Sequence, residues 1–189
     1  MEKIVILTIQ RRMHLAEETK QSLLDVGVNE NQIEIIIGYN KLDYPEMKKP
    51  YHLVAKAFIN KVLSFAIDND TSIYYTECGV LFKSNPFDIP IVTNEINWLG
   101  YISKMKDYII GAKLIYLPLT ILKDMNNNPP KLAHMDRFIR QYALKNHKLV
   151  VSDKSYTFLQ DYESDWGTES QLKKKSIKEK IPTFLRMLI

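Results

Sequence analysis

The sequence contains one cysteine, Cys78, in 189 residues. An internal disulfide and a cysteine-rich zinc site are therefore excluded, and a lone thiol fits a reducing compartment. Glycine is scarce as well, with six residues. No G-x-G-x-x-G, G-x-x-x-x-G-K-[ST] or G-x-S-x-G run occurs. That excludes the usual dinucleotide fingerprint, the P-loop and the hydrolase nucleophile elbow. With so few glycines, any phosphate must be held by side chains. The histidines (His14, His52, His134, His147) lie far apart, and H-E-x-x-H is absent. No apolar run approaches the roughly 20 residues that span a bilayer. The opening MEKIVILTIQRR has too short an apolar core for a secretory signal. The expected location is the cytoplasm. The abundance of Ile, Lys, Asn and Tyr fits an AT-rich genome such as a virus's, in which case the cytoplasm is the host's.

Charge is unevenly spread. Residues 170–189 carry six Lys/Arg against one acid, a net +5, which leaves the other 169 residues near −1 of the chain's +4. A nucleic-acid-binding domain spreads positive charge over a folded face, so no nucleic-acid partner is expected. The segment 171–189 also carries Leu172, Ile177, Ile181, Phe184, Leu185 and Leu188. It reads as a basic amphipathic tail that packs on the domain or touches an anionic membrane surface. Pro182 interrupts it. The remainder, 1–170, is long enough for one domain with its own core.

Hydrophobic spacing gives the order of elements. Ile4–Ile9 reads as a buried strand, and Leu15, Thr19, Ser22, Leu23 and Val26 recur at helical spacing up to Gly27. Ile33–Ile37 is a second buried strand, which predicts a parallel pair with a crossover helix. Asp43–Pro50 reads as a loop, Val54–Ile67 as a helix, and Ser72–Thr76 as a third strand. Strands are also predicted at 97–102, 112–117 and 149–151, with helices at 119–125 and 132–144. The fold class is α/β: an open, mixed, mostly parallel sheet flanked by helices. In such sheets ligands bind at the carboxyl ends of the strands. The weight therefore falls on Thr8–Arg12, Gly38–Asn40 and Glu77–Gly79.

Several stretches, in this order, resemble the GT-A fold of glycosyltransferases. IVILTIQRRMHLAEETKQSLLDVGV is similar to its opening strand, Thr-x-x-Arg turn and helix. IEIIIGYN is similar to its second strand. SIYYTECGVLF followed by KSNPFDI stands where the family carries a strand and an acidic E-D-D or D-x-D motif. WLGYISKMKDYIIGAKLIYLP resembles the acceptor-side stretch, HMDRFIRQYAL a helix opened by an acid, and YTFLQDYESDWGTES the closing segment. The resemblance implies transfer of a sugar from a nucleotide-sugar donor, a UDP-sugar, to a glycan, lipid or protein acceptor. A divalent metal, Mn²⁺ or Mg²⁺, is implied as well.

A departing diphosphate needs positive charge, from a divalent metal or from Arg/Lys. Such metals favour carboxylate oxygens. The acidic motif here reads Glu77-Cys78-Gly79, with one carboxylate. Asp68-Asn69-Asp70 is a true D-x-D one strand earlier. It reads as a helix-ending turn; the alternative is that Asp68 and Asp70 hold the metal. A third reading is metal-independent transfer aided by Arg11, Arg12 or a tail lysine. Arg11 and Arg12 contact the diphosphate or form a solvated helix start. Thr8, Glu77, Cys78 and Gly79 line the donor edge, with Cys78 a small buried residue rather than a nucleophile. Tyr39 and Asn40 pack on the base or ribose, or form a plain turn. Asp136 is the general base, or a charge complementing a helix dipole. His134 reads as a polar loop residue, and Trp166, beside Asp165, covers a sugar or closes the core.

Overall fold

The computed structural model describes residues 1–38, 51–105, 108–131, 133, 135–146 and 149–160. The first strand, β1 (Lys3–Thr8), is followed by a 3-10 turn (Gln10–Arg12) and helix α1 (Met13–Asp25). Gly27, at φ +87°, stops that helix in the left-handed region that glycine enters without strain. Strand β2 (Ile33–Ile37) then pairs parallel to β1. The predicted crossover pair is therefore present. A long helical stretch follows as α2 (Tyr51–Ala57), a π-helical segment (Phe58–Leu63) and α3 (Ser64–Asp68). Strands β3 (Ile73–Glu77) and β4 (Val80–Phe82) come next.

The second half begins with β5 (Ile96–Gly100). A hairpin of β6 (Ser103–Met105) and β7 (Tyr108–Ile110) leads into β8 (Leu114–Leu117). Helices α4 (Leu119–Asn127) and α5 (Met135–Asn146) and strands β9 (Leu149–Val151) and β10 (Thr157–Gln160) complete the described elements. The main sheet has six strands in the order β2-β1-β3-β8-β5-β9. Only β8 runs against its neighbours. The sheet is mixed and mostly parallel, as the hydrophobic pattern predicts. A second, two-stranded sheet joins β4 to β10, and the β6–β7 hairpin forms a third.

Both faces of the central strands β1, β3, β8 and β5 are buried, which explains why they are apolar without alternation, while β2, expected to be buried, is a part-exposed edge strand. Val5, Leu7, Ile73, Tyr75, Trp98 and Ile115 face the helices that follow β2 and β8. Phe58 meets Tyr75 edge-on, with ring centroids 5.2 Å apart. Ile4, Ile6, Tyr74 and Tyr116 face α1 on the other side. There Tyr74 stacks edge-on with Phe87 at 5.1 Å. The α1 residues Thr19 and Ser22 act as hydrogen-bonding partners of the β4 segment. Thr19 Oγ1 accepts the Gly79 N–H at 3.0 Å, and Ser22 Oγ accepts the Phe82 N–H at 3.1 Å.

Three features lie outside the pattern-based expectations: the π-helical segment, the 103–110 hairpin and β10. Among the described residues no helix is long and apolar enough to cross a membrane. The predicted 43–50 loop and the 171–189 tail lie outside the described residues, as do Tyr39, Asn40, His134, Asp165 and Trp166.

Candidate functional site

The carboxyl ends of β1, β2, β3, β5 and β9 share one edge of the sheet, and β8 begins there. The first stretch of that edge is Thr8 to Arg12. Thr8 is fully buried, and its hydroxyl donates to the Arg12 carbonyl at 3.3 Å. The Arg12 N–H closes the turn on the Ile9 carbonyl at 2.9 Å. Arg12 is buried rather than solvated, at 5% exposure. Beside it Gly38 ends β2, its N–H bonding the Thr8 carbonyl at 2.6 Å. A β-carbon at position 38 would stand 3.0 Å from the Ala57 Cβ, so glycine lets α2 close onto this edge. Lys61 of the π-helical segment donates to the Ile37 carbonyl at 2.7 Å.

Glu77, Cys78 and Gly79 lie at the same edge. Cys78 hydrogen-bonds through its N–H to the Leu7 carbonyl at 3.1 Å, and Gly79 turns at φ +82°. The Cys78 thiol packs on the α1 side. Burial pushes its pKa up; the Thr8 hydroxyl and the Arg12 guanidinium beside the sulfur oppose that shift. A thiol so held is a poor nucleophile.

Glu77 belongs to the opposite face, in line with Tyr75. The β3–β8 register pairs Ile73 with Leu117 and Tyr75 with Ile115. Continued by two residues, it sets Glu77 against Lys113. Their side chains form an ion pair, Oε2 to Nζ 3.5 Å, with 17% and 8% exposure. The main chain at Lys113 is clamped: its carbonyl accepts the Thr76 hydroxyl at 2.6 Å, and its N–H bonds the Gly100 carbonyl at 3.0 Å. Lys113 is the site residue that sequence reasoning missed. Its signal is a lysine entering an apolar strand (AKLIYL) opposite an acid leaving another (IYYTE). That signal becomes readable only when β8 is known to be antiparallel.

Asp136 also reaches this edge. It sits in the first turn of α5, where a carboxylate complements the helix dipole. Its Oδ1 accepts the Arg137 N–H at 2.7 Å, and its Oδ2 accepts the Gly111 N–H at 3.3 Å, two residues before Lys113. The Gly111 carbonyl in turn accepts the Trp98 indole N–H at 3.0 Å. Asp136 thus opens a helix at the carboxyl edge of the sheet.

Asp68 and Asp70 are not part of this constellation. They lie before β3, at the opposite end of that strand from Glu77, and both are exposed. Asp70 adopts φ +47°, and the Asp70 and Thr71 N–H groups cap α3 through the Ile67 and Ala66 carbonyls. Its carboxylate pairs with Lys123 at 2.9 Å. The D-x-D stretch is the turn that ends a helix.

Hard divalent cations take several oxygen ligands. At this edge the acidic motif offers one carboxylate, and an ammonium already neutralises it. Among the described residues no group of three or more His, Cys, Asp or Glu side chains is placed to hold a metal ion. Among the described residues, the donor set at this edge does not fit a resident Mn²⁺ or Mg²⁺.

No protein-family model and no curated protein matches this chain. Among solved structures, it is similar to a glycosyltransferase involved in glycosylation of the major capsid of PBCV-1. The TM-score is 0.46 and the identity 13%, over 80% of this chain and 81% of that one. It is also similar to the glycosyltransferase GlyE of Streptococcus pneumoniae TIGR4, with TM-score 0.44 and 8% identity. That match covers 94% of this chain and 50% of the other. Likenesses at this level bear on neither substrate nor chemistry.

Proposed function

We propose that this protein transfers a sugar from a nucleotide donor, a UDP-sugar, to a hydroxyl acceptor at the carboxyl edge of its main sheet. The observation that carries the reading is the convergence of three groups there: the Glu77–Lys113 ion pair and the Asp136 carboxylate tied to Gly111. A diphosphate needs a cation, and an acceptor hydroxyl needs a base. Asp136 is the proposed base, and the side chain of Arg12 is the proposed source of positive charge. Tyr39 and Asn40, which follow Gly38 in the chain, are the proposed partners of base or ribose. The acceptor is a glycan, a lipid or a protein. No step is assigned to a metal.

The test measures UDP release from a panel of UDP-sugars, with Glu77→Ala, Asp136→Asn and Asp68→Ala beside the parent chain. Turnover that Asp136→Asn removes and Asp68→Ala spares supports the reading. Turnover removed by Asp68→Ala and spared by Asp136→Asn refutes it.

One observation favours a second reading, a binding module that holds nucleotide or glycan without turnover. The acidic motif retains one carboxylate, and Lys113 occupies it. Saturable UDP binding with no release of UDP from any sugar donor would select the module.

A further inference from the structure

Lys113 carries a feature that the proposed function alone does not use. Its side chain is 8% exposed, its strand is clamped on both sides, and it stands at the carboxyl edge of the sheet. Among the described residues Glu77 is its one ionic partner. At 3.5 Å that contact is an ion pair outside the usual hydrogen-bond length. An ammonium has three donors. Among the described residues they are held in place without a close acceptor, which is how a cation is arranged to meet an anion. Little side-chain entropy remains to be lost on binding, because the stem is already fixed.

The same geometry works against a cation on Glu77. A divalent ion seated on that carboxylate would have the ammonium as its immediate neighbour, and like charges at that spacing repel. We propose that Lys113 itself receives the donor's diphosphate, and that transfer at this site proceeds without a divalent cation. The inference rests on the transferase reading. In the step, the bond between the anomeric carbon and the β-phosphate oxygen breaks, and its electron pair stays on that oxygen. The acceptor hydroxyl oxygen bonds the anomeric carbon, and its proton passes to the Asp136 carboxylate. Lys113 stays protonated throughout and pairs with the diphosphate as its charge grows. Glu77 holds the ammonium at the edge until the donor arrives.

The experiment is calorimetric titration of UDP into the full chain, once in EDTA and once in Mn²⁺. The expected affinities agree within about threefold. A charge-assisted hydrogen bond to an anion corresponds to roughly a 10–100-fold change in affinity. Lys113→Gln is therefore expected to weaken binding by about that factor, and Lys113→Arg to restore most of it. Glu77→Gln, which frees the ammonium from its competitor, is expected to bind at least as tightly as the parent.

Lys113→Gln leaves a half-buried carboxylate unpaired, so the double variant Lys113→Gln/Glu77→Gln is titrated as well. The loss must persist there. Binding abolished by EDTA and restored by Mn²⁺, or unchanged affinity in the double variant, overturns the role of Lys113 and leaves the transferase reading standing. Absence of UDP binding in both buffers overturns the transferase reading and this inference with it.

Discussion

The Asp136 carboxylate accepts the main-chain N–H of Gly111 at 3.3 Å, tying the first turn of α5 to the chain entering β8. One carboxylate thereby serves a helix end and the approach to Lys113 together. A conservative and a disruptive replacement should separate the two roles. Asp136→Asn keeps an acceptor for the N–H but cannot take a proton. Stability should stay near that of the parent while turnover of a UDP-sugar falls by about 10²–10⁴-fold. Asp136→Ala should lose the same activity and a further ~1 kcal/mol of stability, read by urea denaturation.

Gly111 itself has φ +87°, and an added β-carbon would meet Ile102 Cγ1 at 2.8 Å. Ile102 is exposed and can yield, but the backbone cannot. Gly111→Ala should cost about 1–2 kcal/mol from left-handed strain alone. The expected readout is a lower urea midpoint with an unchanged slope.

Tyr75 is fully buried, and among the described residues its hydroxyl has no hydrogen-bond partner. Burial pushes its pKa up, and the nearby Glu77 charge adds to the shift. A buried donor left unmade costs about 1–3 kcal/mol. Tyr75→Phe keeps the edge-on contact with Phe58 and removes that cost. A higher melting temperature is expected, and a lower one would mean that the hydroxyl has a partner.

The Asp70–Lys123 pair is exposed and remote from Glu77. Exposed pairs contribute about 0–1 kcal/mol. Asp70→Ala and Asp68→Ala should therefore change neither stability by more than about 1 kcal/mol nor UDP affinity at all.

Cys78 gives a pH signature. Its thiol pKa is raised, first by burial, with Thr8 and Arg12 opposing. Alkylation by iodoacetamide should therefore set in at higher pH in the folded chain than in urea. The linkage has a definite sign. The folded state prefers the protonated thiol, so this contribution to stability is full below the unfolded-state pKa. It is lost as pH rises through the folded-state pKa. Equal alkylation profiles in the folded and unfolded chain would refute the assignment.

The hydrophobic pattern made much of the fold legible. An apolar run such as IVILT is what a strand buried on both faces must contain, whereas IEIII, read as equally buried, is a part-exposed edge strand. The turn at Asp68–Asp70 was readable from its residue types. The 103–110 hairpin was not, because strands of three residues are too short to show a period. The π-helical segment was hidden because one inserted residue hardly disturbs an apolar stripe. At the site, Glu77 and Asp136 were legible as acids beside predicted elements. Lys113 was not, because its meaning depends on a strand direction that local sequence does not encode. Arg12 reads as a solvated residue in sequence, yet the turn after β1 folds it inward.

The hairpin between Gly100 and Gly111 hangs from a closed clasp. The Lys113 N–H bonds the Gly100 carbonyl across its base, and the Trp98 indole fastens Gly111 beside it. Inside the clasp Ile109 is buried in the main core and Tyr101 packs against it, so the loop is pinned by side chains as well as by its feet. What stands above this end of the molecule is thus anchored to what holds the sheet together.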